Sequence, residues 1–293
     1  MRTFTPTTAP SLTVTRLGYG TMQLPGPGVW GPPADRSAVL TVLRRVADAG
    51  ITHLDTSAAY GPDVANELIR EALHPHGDDL VVATKVGVER GSEGTFRPAA
   101  SPDQLTAQVH RNLETLGADS LPLVYLRVGG DGLLAPDPTP VAESLGALSD
   151  LRDKGLIREL GLSGCTVEQL GSAEVPIAAV QNRFFLFDRS SDDVLAACEQ
   201  LGIAFVPYFP LAAGMDLPHA AQRAALRTVA AKHGATPAQT TIAWLLARSS
   251  VILAIPGTRN PAHLEENLTA VDLALTAEDV AVLDGIAGLT DQR

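Results

Sequence analysis

The 293-residue chain has only two cysteines, Cys165 and Cys198. Their spacing suits neither a metal site nor a disulfide framework, so a cysteine-stapled secreted scaffold is excluded and a reducing, cytoplasmic setting is expected. Positive charge is scarce as well: 22 Lys and Arg stand against 33 Asp and Glu, for a net charge of −11. That balance argues against a nucleic-acid partner. The chain lacks any run of about 18 uncharged apolar residues, so no membrane span is expected. Its start, MRTFTPTTAP, lacks the apolar core of a secretory signal. It has no internal repeat, low-complexity tract or linker. No His/Cys/Asp/Glu cluster has metal-ligand spacing, and no G-x-S-x-G turn offers a serine nucleophile.

What is present is a 45% apolar chain in which short β-rich runs alternate with longer helical patterns. Strands are expected at Leu17–Met22, Thr52–Thr56, Leu80–Val86, Leu123–Arg127, Arg158–Ser163, Ala178–Asn182, Ala204–Tyr208 and Ile252–Ile255. Helices are expected near 36–49, 64–73, 102–116, 139–154, 166–172, 191–200, 221–233 and 261–268. Many of the strands are near-continuous apolar runs, the pattern of parallel strands covered on both faces. Eight alternations without a composition break predict an α/β fold, a (β/α)8 TIM barrel over about 17–270. Extra helices are expected at 237–247 and 277–287, and an N-terminal β-hairpin from strands at 3–6 and 12–15, all in a single domain over 1–293. Ser101-Pro102, Thr236-Pro237 and Asn260-Pro261 each place a capping residue before a proline that can open a helix.

In such a barrel, chemistry gathers where strands end at the C-terminal face. The second strand ends in "HLDTSAAYG", with Asp55 and Tyr60; the third ends in "VVATKVG", with Lys85. An acid, a phenol and an amine at neighbouring strand ends can form a proton-delivery group, because a nearby ammonium favours the ionised form of a phenol. A structural Asp–Lys ion pair beside a surface tyrosine is the plainer alternative. The fourth strand, "LPLVYLR", ends an apolar run with Arg127.

These blocks closely resemble the aldo-keto reductases. So do "GLSGC" (161–165), "VQNRF" (180–184), "PYFPLAAG" (207–214) and "IPGTRNPAHLEENL" (255–268), which follow in family order. The resemblance implies a (β/α)8 barrel that uses a nicotinamide cofactor, usually NADPH, without a Rossmann domain, and a small-molecule carbonyl substrate. "GPGVWG" at 26–31 matches G-x-G-x-x-G, but Pro27, Pro32 and Pro33 remove backbone donors and no helix follows at once, so it is expected to be a loop.

Carried over by position, the resemblance makes Tyr60 the general acid, assisted by Lys85, with Asp55 orienting Lys85. Gly20, Thr21 and Met22, at the end of the first strand, fall on the cofactor side. Ser163 and Gln181 match residues that hold the nicotinamide carboxamide; the asparagine usual after that serine is Gly164 here. Tyr208 matches the aromatic stacked on the nicotinamide ring. Leu211 and Gly214 match a loop along the pyrophosphate. Gly257, Thr258 and Arg259 match the segment around the 2′-phosphate, and Glu266 and Asn267 match the adenine-recognising pair. The family's frequent lysine in that segment is replaced by Gly257, which leaves Arg259 as its cation and NADPH favoured over NADH. Trp30, Phe96, Tyr125 and Phe184 are candidates to line the substrate pocket.

At the end of the fourth strand the family places a histidine facing the carbonyl; this chain has Arg127. Arginine can donate several hydrogen bonds but cannot act as a proton acid at working pH. It can therefore polarise a carbonyl or hold an anion. The alternative is that Arg127 turns outward to pair with an acid such as Asp131. The expected activity is NADPH-dependent reduction of an aldehyde or ketone. Reduction of an enone or imine, and a cofactor-binding sensor with little turnover, stand as the alternatives.

Overall fold

The computed structural model describes residues 1–77, 79–91, 94–128, 139–211 and 220–288. Strands β1 (Thr3–Phe4) and β2 (Val14–Thr15) pair antiparallel. Strands β3 (Tyr19–Gly20), β4 (His53–Asp55) and β5 (Val81–Arg90) then run parallel. After β6 (Phe96–Ala99), parallel pairing continues through β7 (Leu121–Arg127), β8 (Ile157–Ser163), β9 (Ala179–Gln181) and β10 (Ala204–Phe205). Parallel bridges Phe205–Ile252 and Leu17–Ala254 bring in an eighth segment and close the ring. The α/β barrel expected from the sequence is the fold observed.

Ten α-helices wrap the sheet among the described residues: α1 (Arg36–Asp48), α2 (Val64–Leu73), α3 (Pro102–Leu116), α4 (Ala142–Asp153), α5 (Val167–Gly171), α6 (Asp192–Leu201), α7 (Ala220–Lys232), α8 (Pro237–Arg248), α9 (Pro261–Thr269) and α10 (Ala277–Gly285). Their starts follow local chemistry. Thr236 and Gln239 cap α8 reciprocally, side chain to backbone, at 3.2 and 2.8 Å. Asn260 accepts from Ala262 N at 2.9 Å to open α9. None of the helices is long and apolar enough to cross a membrane, among the described residues.

Two cores result. The larger lies between sheet and helices. The smaller fills the barrel interior with Val81, Ala83, Leu123, Tyr125, Ala179 and Val206, and the hairpin residues Leu12 and Val14 plug its lower end. Buried Arg16 secures the closure: its guanidinium donates to the carbonyls of Leu246 at 2.8 Å, Ile252 at 3.2 Å and Ser249. Two of those carbonyls belong to the end of α8 and the residue after it, where a cation is favoured.

One element had no counterpart in the sequence reading. Strand β5 runs past the barrel rim to Arg90 and turns back as β6, pairing Gly87 with Ala99 and Arg90 with Phe96. This two-stranded extension sets Phe96 at the barrel mouth.

Candidate active site

Strand periodicity decides which side chains reach the mouth. On β7, Leu123, Tyr125 and Arg127 share the inward face. Leu123 and Tyr125 belong to the interior core, and Arg127 emerges at the top. Arg127 is in register with Ser163 on β8, and Ser163 with Gln181 on β9. On the other side Gly20 is in register with Asp55. An open cleft of ≈920 Å³, counting its mouth, lies above these strand ends.

Asp55 is the hub. One carboxylate oxygen accepts from Lys85 Nζ at 2.6 Å and the other from Gln181 Nε2 at 2.7 Å. Lys85 also donates to the Thr56 carbonyl at 2.9 Å. All three side chains are buried. The Lys85 ammonium lies 5.2 Å from the centroid of the Tyr60 ring, and Tyr60 lines the cleft with Asp55, Gln181 and Arg127. The structure thus gathers the predicted acid, phenol, amine and guanidinium at one place. Tyr60 is 5% exposed, so the surface-tyrosine alternative fails.

Arg127 faces the cleft. Its guanidinium carbon stands 5.4 Å from the centroid of the Phe96 ring. Its Nη1 is buried without a hydrogen-bond partner. It forms no ion pair among the described residues; Asp131, the alternative partner, lies outside them.

The other wall carries Tyr208, edge-on to Phe209 at 5.4 Å between centroids. Burial pushes the Tyr208 phenol above its ordinary range, against the opposing charges of Arg127 and Arg183. Leu211, Met22, Gly20 and Gly257 complete the predicted residues in the cleft wall. Ser163 is buried beside Arg127 but is not part of that wall. Thr21 turns its hydroxyl to the Asp55 carbonyl at 3.0 Å, which fixes the strand end from behind. Gly214 lies outside the described residues.

Thr258, Arg259, Glu266 and Asn267 sit beyond the cleft, on the segment leading into α9 and on α9 itself. Buried Tyr19 pins this segment by donating to the Thr258 carbonyl at 2.5 Å. Exposed Arg259 donates to the Pro25 carbonyl at 3.2 Å and has no ion pair among the described residues. The two family departures have steric causes. A Cβ at Gly257 would lie 2.2 Å from the Gly20 carbonyl oxygen, so no side chain fits. Gly164 has φ +73°, and a Cβ there would meet the Val128 carbonyl oxygen at 2.3 Å. Asn182 instead uses its side chain to hold the Gly164–Cys165 turn, accepting from both backbone N–H groups at 3.0 and 3.1 Å.

Three candidate pocket residues are corrected. Tyr125 is fully buried one layer below Arg127, because two residues along a strand return to the same face at a lower level. Phe184 is fully buried between Phe205 and Trp244, behind the sheet. Trp30 is 41% exposed and rests on Arg90 outside the cleft wall. Gln23, Phe209, Pro210, Ile255 and Pro256 line the cleft and were missed. Each adjoins or lies near a residue that the motifs did identify, so adjacency to Met22, Tyr208 and Gly257 was the available signal.

Residues 16–287 match the Aldo/keto reductase family. The chain is 47% identical to pyridoxine 4-dehydrogenase of Escherichia coli K12 over 94% of its own length and 95% of that protein's. A thermostable aldo-keto reductase solved with the inhibitor epalrestat superposes with a TM-score of 0.82 at 27% identity, covering 98% of this chain and 100% of the other. An aldo/keto reductase of Klebsiella pneumoniae, solved with NADP and acetate, gives 0.78 at 27% identity, covering 96% and 94%. With a barrel of this topology and a match over nearly its whole length, the chain belongs to the aldo/keto reductase family.

Proposed function

We propose that this protein is an NADPH-dependent oxidoreductase that interconverts an aldehyde and its primary alcohol, with a substrate of the pyridoxal and pyridoxine type. The observation that carries the reading is the buried Asp55–Lys85 pair opening onto a cleft shared by Tyr60, Arg127, Gln181 and Tyr208. The similarity to a pyridoxine 4-dehydrogenase supports the substrate class.

The residues present fit a nicotinamide dinucleotide. Tyr208 offers an aromatic face in the cleft wall. Gln181 commits its amide N–H to Asp55, which leaves its carbonyl oxygen to accept from a carboxamide. Gly20 and Gly257 make a side-chain-free approach. Arg259 supplies a free cation for a 2′-phosphate. When bound, the reduced cofactor supplies the hydride.

The chain's own residues do the rest. Arg127 donates hydrogen bonds to the carbonyl oxygen and stabilises the negative charge that develops on it. Tyr60 delivers the proton to that oxygen. The Lys85 ammonium, 5.2 Å from the Tyr60 ring, stabilises the negative charge that develops on the phenol oxygen as the proton leaves, and Asp55 fixes Lys85 for the task. In the alcohol-oxidising direction Tyr60 takes the proton back.

The test is spectrophotometric: NADPH consumption with pyridoxal, and NADP⁺ reduction with pyridoxine. Turnover in either direction that Tyr60→Phe abolishes is the expected result. Absence of turnover with either coenzyme would overturn the reading.

A further inference from the structure

Lys85 is neutralised by Asp55, and both oxygens of Asp55 are already occupied. Arg127 is therefore the uncompensated cation of the cleft among the described residues. Its Nη1 is buried with no hydrogen-bond partner. The contact with the Phe96 ring offsets part of the desolvation. Arg127 is half-buried, a substrate closing over its guanidinium takes the charge further out of water, and an anionic oxygen on that substrate would supply the counter-charge.

The shape of the group narrows the ligand. A guanidinium presents parallel N–H groups that engage two oxygens held side by side. A simple carbonyl offers a single oxygen. Outside the residues assigned to the cofactor, the wall beside Arg127 offers the flat rings of Phe96 and Phe209. Such walls suit a planar aryl ring.

We propose that Arg127 is the specificity-determining residue for aryl aldehydes bearing an ionised hydroxyl ortho to the reacting carbonyl, gripping the carbonyl and phenolate oxygens together. The proposal rests on the aldehyde–alcohol reading above. In the reaction, the carbonyl carbon gains the hydride, the C=O π pair moves onto oxygen, and that oxygen takes the Tyr60 proton. The ortho oxygen stays ionised throughout. Tyr60 regains a proton from solvent.

The test compares 2-hydroxybenzaldehyde, 2-methoxybenzaldehyde, 4-hydroxybenzaldehyde and a 2-oxo acid, phenylglyoxylate. It is run at a pH where the phenols are ionised, on wild type, Arg127→Met and Arg127→Lys. A charged hydrogen bond of roughly 1.5–3 kcal/mol corresponds to about 10–150-fold. Wild-type kcat/KM is expected to favour the 2-hydroxy over the 2-methoxy compound by about that factor. Arg127→Met should bring the ratio near one, and Arg127→Lys should leave an intermediate ratio. Calorimetric binding of the same compounds to the protein with NADP⁺ gives a readout without turnover. Aldehyde turnover with no ortho-hydroxy preference, or a preference that survives in Arg127→Met, overturns the proposal while the broader reading stands. Arg127-dependent tight binding of the 2-hydroxy compound without turnover supports the proposal while the broader reading falls. Equal preference for the 4-hydroxy compound, or a stronger one for phenylglyoxylate, overturns the ortho geometry.

Discussion

Gln181 donates its side-chain amide to Asp55 across 2.7 Å, joining β9 to β4 across the barrel mouth. The bond fixes which end of the Gln181 amide faces the cleft. It also occupies the carboxylate oxygen that Lys85 leaves free, so Asp55 cannot swing away from the ammonium. One buried carboxylate therefore positions both Lys85, beside the Tyr60 ring, and Gln181, in the cleft wall.

Asp55→Asn should be damaging twice over. It leaves the Lys85 ammonium buried without a counter-charge, and breaking such a pair costs roughly 3–5 kcal/mol. It also frees Lys85 from its place beside Tyr60. The expected outcome is a lowered denaturation midpoint together with a fall in kcat. A variant with wild-type stability and rate would show that the pair is incidental.

Tyr60→Phe removes the proposed proton donor and leaves the ring in place. General acid catalysis contributes about 10²–10⁴-fold, so turnover should drop by that range. NADPH affinity, measured by fluorescence titration, should hardly change. A wild-type rate would refute the assignment.

Arg259→Ala should weaken NADPH binding and spare NADH. Arg259 is exposed, without an ion pair among the described residues, and precedes the N-terminus of α9. Loss of a charged hydrogen bond to phosphate amounts to roughly 1.5–3 kcal/mol. Titrations with both coenzymes check it; equal weakening would mean that Arg259 does not meet the 2′-phosphate.

Acid should destabilise the protein through His53. This residue is fully buried on β4, two positions before Asp55, and burial lowers its pKa from 6.5 to about 4, with Asp55 opposing and Lys85 reinforcing. Between those values the unfolded chain binds a proton that the folded chain does not. Stability therefore falls as pH drops through that window, by a total on the order of 3 kcal/mol, and its contribution levels off below it. Urea midpoints of wild type and His53→Gln between pH 7 and 4 test this; the variant should show the shallower decline.

Arg16→Met should loosen the barrel closure. Three backbone carbonyls lose their guanidinium donor. The Ser249 carbonyl keeps the Ile252 N–H at 3.4 Å, so the Ile252 and Leu246 carbonyls carry the loss; an unsatisfied buried acceptor costs about 1–3 kcal/mol, and a loss of roughly that size is expected. Thermal unfolding measures it.

Local chemistry was legible in the amino-acid order. The apolar runs of β5, β7 and β8 marked buried parallel strands, Thr236 and Asn260 marked helix starts, and "HLDTSAAYG" and "VVATKVG" placed Asp55, Tyr60 and Lys85 at neighbouring strand ends. These signals are carried by residues close in sequence, so no long-range information was needed. Depth and facing were decided by the tertiary structure alone. Tyr125 and Arg127 share one face of β7, and only the closed barrel puts the first in the core and the second in the cleft. Trp30, Phe96 and Phe184 are equally good pocket residues by composition; the β5–β6 extension brings Phe96 to the mouth, while Phe184 is enclosed behind the sheet. The missing side chains at Gly164 and Gly257 were visible as departures, but their reason was not. It lies in the carbonyls of Val128 and Gly20, far away along the chain and too near in space for any Cβ.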